Sequence, residues 1–131
     1  MSLTKFVLNF TRCVATSTPI KLEYIDKLVK GYKLVVFMKG TPTNPMCGFS
    51  KAVMDILNVH KINDFESHNV LENKKLRKDI KEYSDWPTIP QVYINGDMVG
   101  GCEIFMQMHE SGEIIKEFEK AGLESGLELK K

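Results

Sequence analysis

Leu34-Val-Val-Phe-Met-Lys-Gly-Thr-Pro-Thr-Asn-Pro-Met-Cys-Gly-Phe-Ser50 is the segment of the 131-residue chain that sets its architecture. Its first five residues are apolar and rich in β-branched side chains, which is typical of a strand buried on both faces. Two prolines and a glycine follow, so neither the strand nor a helix can continue through residues 40–46, and we expect a rigid connecting loop there. From Cys47 onward, apolar residues recur at helical spacing until about His60. The cysteine therefore lies where a helix starts.

The patterns on either side of this segment predict further helices and strands. They are a helix from Pro19 to Gly31, a strand from Phe65 to Val70, an amphipathic helix from Leu71 to Tyr83, a hairpin of Gln91–Ile94 and Asp97–Val99, and a helical stretch from Ile104 to Ala121 that breaks at Gly112. Trp86-Pro-Thr-Ile-Pro90 excludes helix. Asn95-Gly96 suits the type I′ turn of the hairpin.

This order of elements predicts an α/β fold of the thioredoxin type. Two parallel strands are joined by the Cys47 helix, and an antiparallel hairpin lies beside them. The result is a central four-stranded mixed sheet flanked by helices.

Composition restricts the class of protein. With 43% hydrophobic and 27% charged residues, the chain fits one globular domain. No apolar run approaches the roughly 20 residues that span a bilayer, and a formal net charge of +1 does not attract nucleic acid, so we expect neither a membrane nor a nucleic acid as partner. Cys13, Cys47 and Cys102 are irregularly spaced, which indicates a reducing compartment and no disulfide framework.

The N-terminal residues 1–19 have the composition of an organelle transit peptide. No acidic residue precedes Glu23, while Lys5 and Arg12 alternate with apolar and hydroxyl side chains. A disordered N-terminus is the alternative. We expect import into the mitochondrial matrix, with plastid or cytoplasm as alternatives, loss of Cys13 with the presequence, a folded domain at 20–122 and a tail at 123–131.

Cys47-Gly-Phe-Ser50 carries a single thiol. In a Cys-x-x-Cys motif the second thiolate attacks a mixed disulfide, which the Ser50 hydroxyl cannot do, so the chain must borrow a thiol from elsewhere. A helix N-terminus lowers the pKa of a thiol and makes thiolate available for metal binding or exchange. The alternative is a buried structural cysteine.

Four motifs occur in order along the chain: Lys39-Gly-Thr-Pro42, Cys47-Gly-Phe-Ser50, Trp86-Pro-Thr-Ile-Pro90 and Gly100-Gly-Cys-Glu103. Together they resemble the monothiol glutaredoxins of the Cys-Gly-Phe-Ser class, over about residues 20–122. The resemblance implies bound glutathione and a [2Fe–2S] cluster that bridges a homodimer in iron–sulfur cluster assembly. Scaffold or chaperone proteins would supply the cluster, and apo-proteins would receive it.

The resemblance also implies which residues form the site. Cys47 would be the catalytic thiol and the cluster ligand. The implied glutathione contacts are Lys39, Phe49, Arg77, Thr88, Ile89, Pro90 in the cis form, Gly101, Cys102 and Glu103, with Lys81 and Gln91 as weaker candidates. Glu103 stands where the family usually has Asp, which puts a contact by that side chain in question.

Several of these residues have a plainer interpretation. Lys39 and Arg77 can be solvated surface residues, Ile89 a core residue, and the glycines an ordinary turn. Cys102 can be a core residue, a disulfide partner for Cys47, or a neighbour of glutathione through its backbone, which we favour.

The histidines, several methionines and two aromatic residues are not expected to react or to bind a metal. His60, His68 and His109 lack metal-ligand spacing to any cysteine and are expected at the surface or at helix ends. We expect Met38, Met54, Met106 and Met108 to pack, and Phe49 and Trp86 to form walls of the site.

Two functions share the predicted site. The first is a carrier that passes a glutathione-ligated cluster to apo-proteins. The alternative is a glutathione-dependent oxidoreductase that uses Cys47 to remove glutathione from mixed disulfides. The resemblance links the long loop Gly40–Met46 with weak oxidoreductase activity and good cluster binding. A purely protein-binding adaptor would leave Cys47 dispensable.

Overall fold

The apolar run at residues 34–38 forms a central strand of the fold. The structure is a computed structural model that describes residues 20–126. After a short 3₁₀ turn, the elements are α1 Glu23–Lys30, β1 Leu34–Met38, β2 Gly40–Thr41, β3 Asn44–Pro45, α2 Gly48–Val59, β4 Glu66–Asn69, α3 Lys74–Ser84, β5 Gln91–Ile94, β6 Asp97–Gly100, α4 Cys102–Ser111 and α5 Glu113–Lys120. Four strands form a mixed sheet in the order β4-β1-β5-β6. Strand β1 is parallel to β4 and antiparallel to β5, which confirms the predicted thioredoxin-type fold.

Burial of β1 on both faces divides the core into two layers. Leu34, Val36 and Met38 pack with residues of α2, α4 and α5 on one face of the sheet. Val35 and Phe37 pack with residues of α1 and α3 on the other. Because successive side chains of a strand point to opposite faces, this one strand supplies both cores and fixes the register of the sheet.

Several local predictions are confirmed. The Ile89–Pro90 peptide bond is cis. Asn95 and Gly96 both have positive φ, as a type I′ turn requires. Gly112, with φ of 85°, separates α4 from α5.

The expectation of a plain connecting loop at residues 40–46 was wrong. Gly40 pairs with Pro45 and Thr41 with Asn44, so the segment forms a small antiparallel ribbon. A Cβ at Gly40 would lie 2.5 Å from the Asn44 carbonyl oxygen, and its φ of 97° favours glycine. The missing side chain is what allows the chain to fold back on itself here.

Helix α3 begins three residues later than predicted from Leu71. Its N-cap is Asn73, whose side-chain oxygen accepts a hydrogen bond of 3.0 Å from the Leu76 N–H. Asparagine is a favoured N-cap because its short side chain satisfies one of the first helical N–H groups. The cap overrides the apolar pattern that placed the helix start at Leu71.

Some predictions fall outside the described residues, namely the transit peptide at 1–19, Cys13 within it, and the last residues of the predicted tail. The domain limit at residue 122 stays a prediction. Beyond it, Leu123 is buried in the α2, α4 and α5 layer, and the Gly126 N–H donates to the His60 carbonyl at 2.6 Å. Between residues 20 and 126, every helix is too short or too polar to cross a bilayer.

We expect Asn73→Ala to lower the free energy of unfolding by about 1 kcal/mol, because the Leu76 N–H loses its capping acceptor. Chemical denaturation of the two proteins measures the difference. Asn73→Asp keeps an acceptor at the same position and should stay close to wild type. Equal stability of Asn73→Ala and wild type would show that the cap contributes nothing.

Candidate functional site

Cys47 is the N-cap residue of α2. Its backbone is extended, with φ of −153° and ψ of 152°, and its Sγ accepts a hydrogen bond of 3.4 Å from the Ser50 N–H. Thus sulfur takes the place of the oxygen that usually caps a helix. The residue is partly exposed, so the thiol stands at a helix N-terminus within reach of a ligand.

Ser50 has a role that the sequence analysis missed. Its side chain is fully buried, with Oγ 3.6 Å from Cys47 Sγ, and Oγ accepts a hydrogen bond of 3.1 Å from the Lys39 N–H. The sequence showed only that the Ser50 hydroxyl cannot attack a mixed disulfide as the second thiolate of a Cys-x-x-Cys motif does. In the structure, Ser50 joins the end of β1 to the thiol, and its place three residues after the cap is the signal that could have shown this.

These contacts determine the ionisation of Cys47. Burial raises the pKa of the thiol, but hydrogen bonds to the sulfur from Ser50 and Phe49 and the positive charge of Lys39 lower it by more. The pKa of Cys47 is therefore below its ordinary value, which favours the thiolate, the form that attacks disulfides and binds metals.

A cavity of about 560 Å³ lies next to the first turn of α2, where Phe49 lines it and Cys47 itself does not. It is lined by Lys39, Phe49, Lys81, Trp86, Pro87, Thr88, Ile89, Pro90, Gly101, Cys102, Glu103 and Ile104. The structure thus brings together the predicted glutathione contacts except Arg77 and the weaker candidate Gln91. Lys81, one turn further along α3, lines the cavity where Arg77 does not. Pro87 and Ile104 were not singled out from the sequence, although both adjoin motifs that were.

The wall at Thr88 and Ile89 offers backbone groups. The Ile89 side chain is buried in the layer between the sheet and helices α1 and α3, while its backbone N–H and C=O make no hydrogen bond within residues 20–126. Gln91 is fully buried and holds this wall, because its side-chain amide donates to the carbonyls of Trp86 at 3.1 Å and Thr88 at 3.2 Å. Gln91 is thus a supporting residue behind the cavity.

Gly101 lets the start of α4 approach this wall. It is the N-cap of α4 and makes no side-chain cap. A Cβ at this position would lie 3.2 Å from the Pro90 carbonyl oxygen and 3.3 Å from Trp86 Nε1. The first N–H groups of α4 therefore stay available to an anion at the cavity, with the helix dipole in the favourable direction.

The second cysteine at the cavity differs from Cys47. Cys102 is buried, and its Sγ lies 3.6 Å from Met106 Sδ. Burial, then the neighbouring charges of Cys47 and Glu103, raise the pKa of its thiol. Cys102 therefore stays a protonated thiol under conditions where Cys47 ionises.

Apolar side chains are exposed around Cys47. Phe49 is 68% exposed and Met46 is 60% exposed. Met106, expected to pack, is 42% exposed, so that expectation was wrong, whereas Met38 and Met54 are buried. The histidines were expected at the surface or at helix ends, and His60 and His109 do lie at the ends of α2 and α4, although His60 is 1% exposed. The expectation was wrong for His68, which lies half-buried in β4, stacked on Phe37.

Comparison with known proteins agrees with this geometry. The family model described as Glutaredoxin matches residues 34–99. The chain belongs to the glutaredoxin family. This glutaredoxin has one thiol in its motif, and the names of two of its relatives include an organelle.

One relative is glutaredoxin-related protein 5, mitochondrial, of Danio rerio, which is 52% identical over 103 residues, covering 79% of this chain and 66% of the relative. Monothiol glutaredoxin-S14, chloroplastic, of Arabidopsis thaliana is 49% identical over 111 residues, covering 84% and 64%. This glutaredoxin thus spans slightly less than two thirds of either relative. A monomeric truncated mutant of Trypanosoma brucei 1-C-Grx1, solved in solution, matches with a TM-score of 0.73 and 36% identity, covering 82% of this chain and 96% of that one.

We expect Ser50→Ala to raise the pKa of the Cys47 thiol, because the thiolate loses the hydroxyl as a hydrogen-bond donor. The rate of Cys47 alkylation by iodoacetamide, followed against pH by mass spectrometry of its peptide, should then rise at higher pH than in wild type. Ser111→Ala, which removes an exposed hydroxyl at the end of α4, is the control. An unchanged profile in Ser50→Ala would refute the role of this hydroxyl.

Proposed function

We propose that two copies of this monothiol glutaredoxin hold a [2Fe–2S] cluster through Cys47 and glutathione and pass it to apo-proteins. The observation that carries the proposal is the contrast between the two cysteines of residues 20–126. Cys47 is partly exposed with a lowered pKa, while Cys102 is buried with a raised pKa. One chain therefore offers one thiolate at the cavity.

The cavity fits glutathione, a short peptide with two carboxylates. Its volume is in the range of ordinary small-ligand sites. Lys39 and Lys81 supply positive charge, and the N-terminus of α4 supplies free N–H groups. The backbone of Ile89, which has no hydrogen-bond partner within residues 20–126, suits an extended peptide, which can hydrogen-bond to it as an added strand would.

The cluster is the cargo of this carrier, and its chemistry requires a second copy. Such clusters usually take four thiolate ligands. Within residues 20–126, no group of three or more His, Cys, Asp or Glu side chains could hold a metal ion. Two Cys47 thiolates and two glutathione thiolates complete the set. Transfer is then ligand exchange, in which a thiolate of the recipient replaces a leaving thiolate on iron.

A second candidate function is the glutathione-dependent oxidoreductase. The Cys47 thiolate would attack the glutathione sulfur of a mixed disulfide and release the protein thiol. A second glutathione thiolate would then attack the Cys47–glutathione disulfide, forming oxidised glutathione and regenerating Cys47. The lowered pKa of Cys47 favours this chemistry as well. We propose it as a weak activity, because the resemblance links the long loop Gly40–Met46 with weak oxidoreductase activity.

We propose that the protein works in the mitochondrial matrix. The acid-free composition of residues 1–22 and the mitochondrial relative of Danio rerio support this location. The chloroplastic relative of Arabidopsis thaliana keeps a plastid as the alternative, beside the cytoplasm.

Anaerobic reconstitution with iron, sulfide and glutathione tests the carrier. We expect visible absorption that elutes with a dimer in gel filtration, and loss of both when glutathione is omitted or in Cys47→Ser, because each removes cluster ligands. Cys13→Ser is the control, because it also removes one thiol from the chain, and it should keep the coloured dimer. A colourless monomer with rapid glutathione–disulfide exchange would refute the carrier and favour the oxidoreductase.

We expect Lys81→Ala to weaken glutathione binding about fivefold, which corresponds to about 1 kcal/mol for a partly exposed charged contact. Lys78→Ala is the matched control, since it removes the same charge from an exposed position of α3 outside the cavity. Isothermal titration with glutathione measures both. If Arg77→Ala weakens binding and Lys81→Ala does not, glutathione binds to Arg77, as predicted from the sequence, and the expectation for Lys81 is wrong.

A further inference from the structure

The two helices that start at the cavity end at a pair of histidines. Helix α2 begins at Cys47 and has His60 as its C-cap, and α4 begins at Gly101 and carries His109 in its last turn. The two helices pack against each other. The histidine pair therefore lies at the C-terminal ends of both helices, remote from the thiol.

The pair is a polar contact beside an apolar layer, with His60 buried and His109 half-buried. His60 Nε2 lies 2.8 Å from His109 Nδ1, and His60 Nδ1 lies 2.7 Å from Ser125 Oγ, so both nitrogens of the buried ring are hydrogen-bonded. The Phe118 ring packs edge-on against His60, with centroids 5.4 Å apart. Burial and the neighbouring His109 lower the pKa of His60. A neutral ring with both nitrogens satisfied has one defined orientation.

We propose that His60 and His109 are positioning residues for the Cys47 site. Their hydrogen bond fixes the C-terminal ends of α2 and α4 relative to each other, and so sets the distance between the thiol and the N-terminus of α4 across the cavity. The inference rests on the proposed binding of glutathione, which must contact both helix starts.

Helix rigidity is the physical basis. Because Ser50 attaches the start of α2 to β1, loss of the pair shifts α4 instead. The 10 residues of α4 make a rod about 15 Å long, so a tilt of about 5° at one end moves the other by about 1.3 Å. The groups that lower the pKa of Cys47 stay together around its sulfur, because the hydrogen bonds from Ser50 and Phe49 arise within α2 and the Lys39 N–H is bonded to Ser50 Oγ. Loss of the pair therefore disturbs a ligand that spans both helices and leaves the ionisation of Cys47 unchanged.

His109→Leu and His109→Asn test the proposal. Leu cannot hydrogen-bond, while the Asn amide can present either an oxygen or an N–H close to the position of Nδ1. We expect glutathione affinity to fall about fivefold in His109→Leu, comparable to one net hydrogen bond, and to stay near wild type in His109→Asn. The emission of Trp86, the single tryptophan of the chain and part of the cavity lining, reports binding.

Two further measurements separate positioning from general destabilisation. Circular dichroism shows that each variant is folded, and the pH profile of Cys47 alkylation should be the same in all of them. His68→Asn replaces a histidine outside the pair and should bind glutathione as wild type does. If His109→Leu does not fold, His109→Gln takes its place, because its longer side chain misplaces the amide.

Unchanged glutathione affinity in a folded His109→Leu would overturn the proposal. A Cys47 profile that shifts together with the affinity would also overturn it, since the effect would then act on the thiol itself. If wild type fails to bind glutathione, the proposed function is refuted and this inference with it.

Discussion

The hydrogen bond from the Lys39 N–H to Ser50 Oγ connects the buried sheet to the reactive thiol. Strand β1 is fixed by burial on both faces, so its last residues have a defined position. Ser50 attaches the first turn of α2 to that position, and Cys47 caps the same turn. The location of the sulfur therefore follows from the most buried element of the fold, although the sulfur itself is partly exposed.

The two thiols at the cavity show how placement decides chemistry. Cys47 and Cys102 are the same functional group near the same cavity, yet the pKa of one is lowered and that of the other is raised. The sulfur of Cys47 faces donors at a helix start and the Lys39 charge. The sulfur of Cys102 faces apolar surroundings and negative charge, so a shared cavity contains one nucleophile and one inert thiol.

Local patterns predicted most of the fold because the deciding signals lie within a few residues. Strand β1, the Asn95-Gly96 turn and the break at Gly112 are of this kind. The β2–β3 ribbon was missed because it depends on the positive φ of Gly40, and the burial of His60 because its partners lie 49 and 65 residues away in the chain. The motifs similarly located the cavity but left open which cation of α3 lines it.

Gln91 holds the cavity wall in place more firmly than an ordinary surface loop is held. Its amide ties the carbonyls of Trp86 and Thr88 to β5, and its own oxygen accepts a hydrogen bond from the buried Tyr93 hydroxyl. The wall cannot open without leaving several polar groups unsatisfied inside the protein. The position of the wall is thereby coupled to the integrity of the central sheet, and the groove keeps its shape through the fluctuations that loosen loops elsewhere.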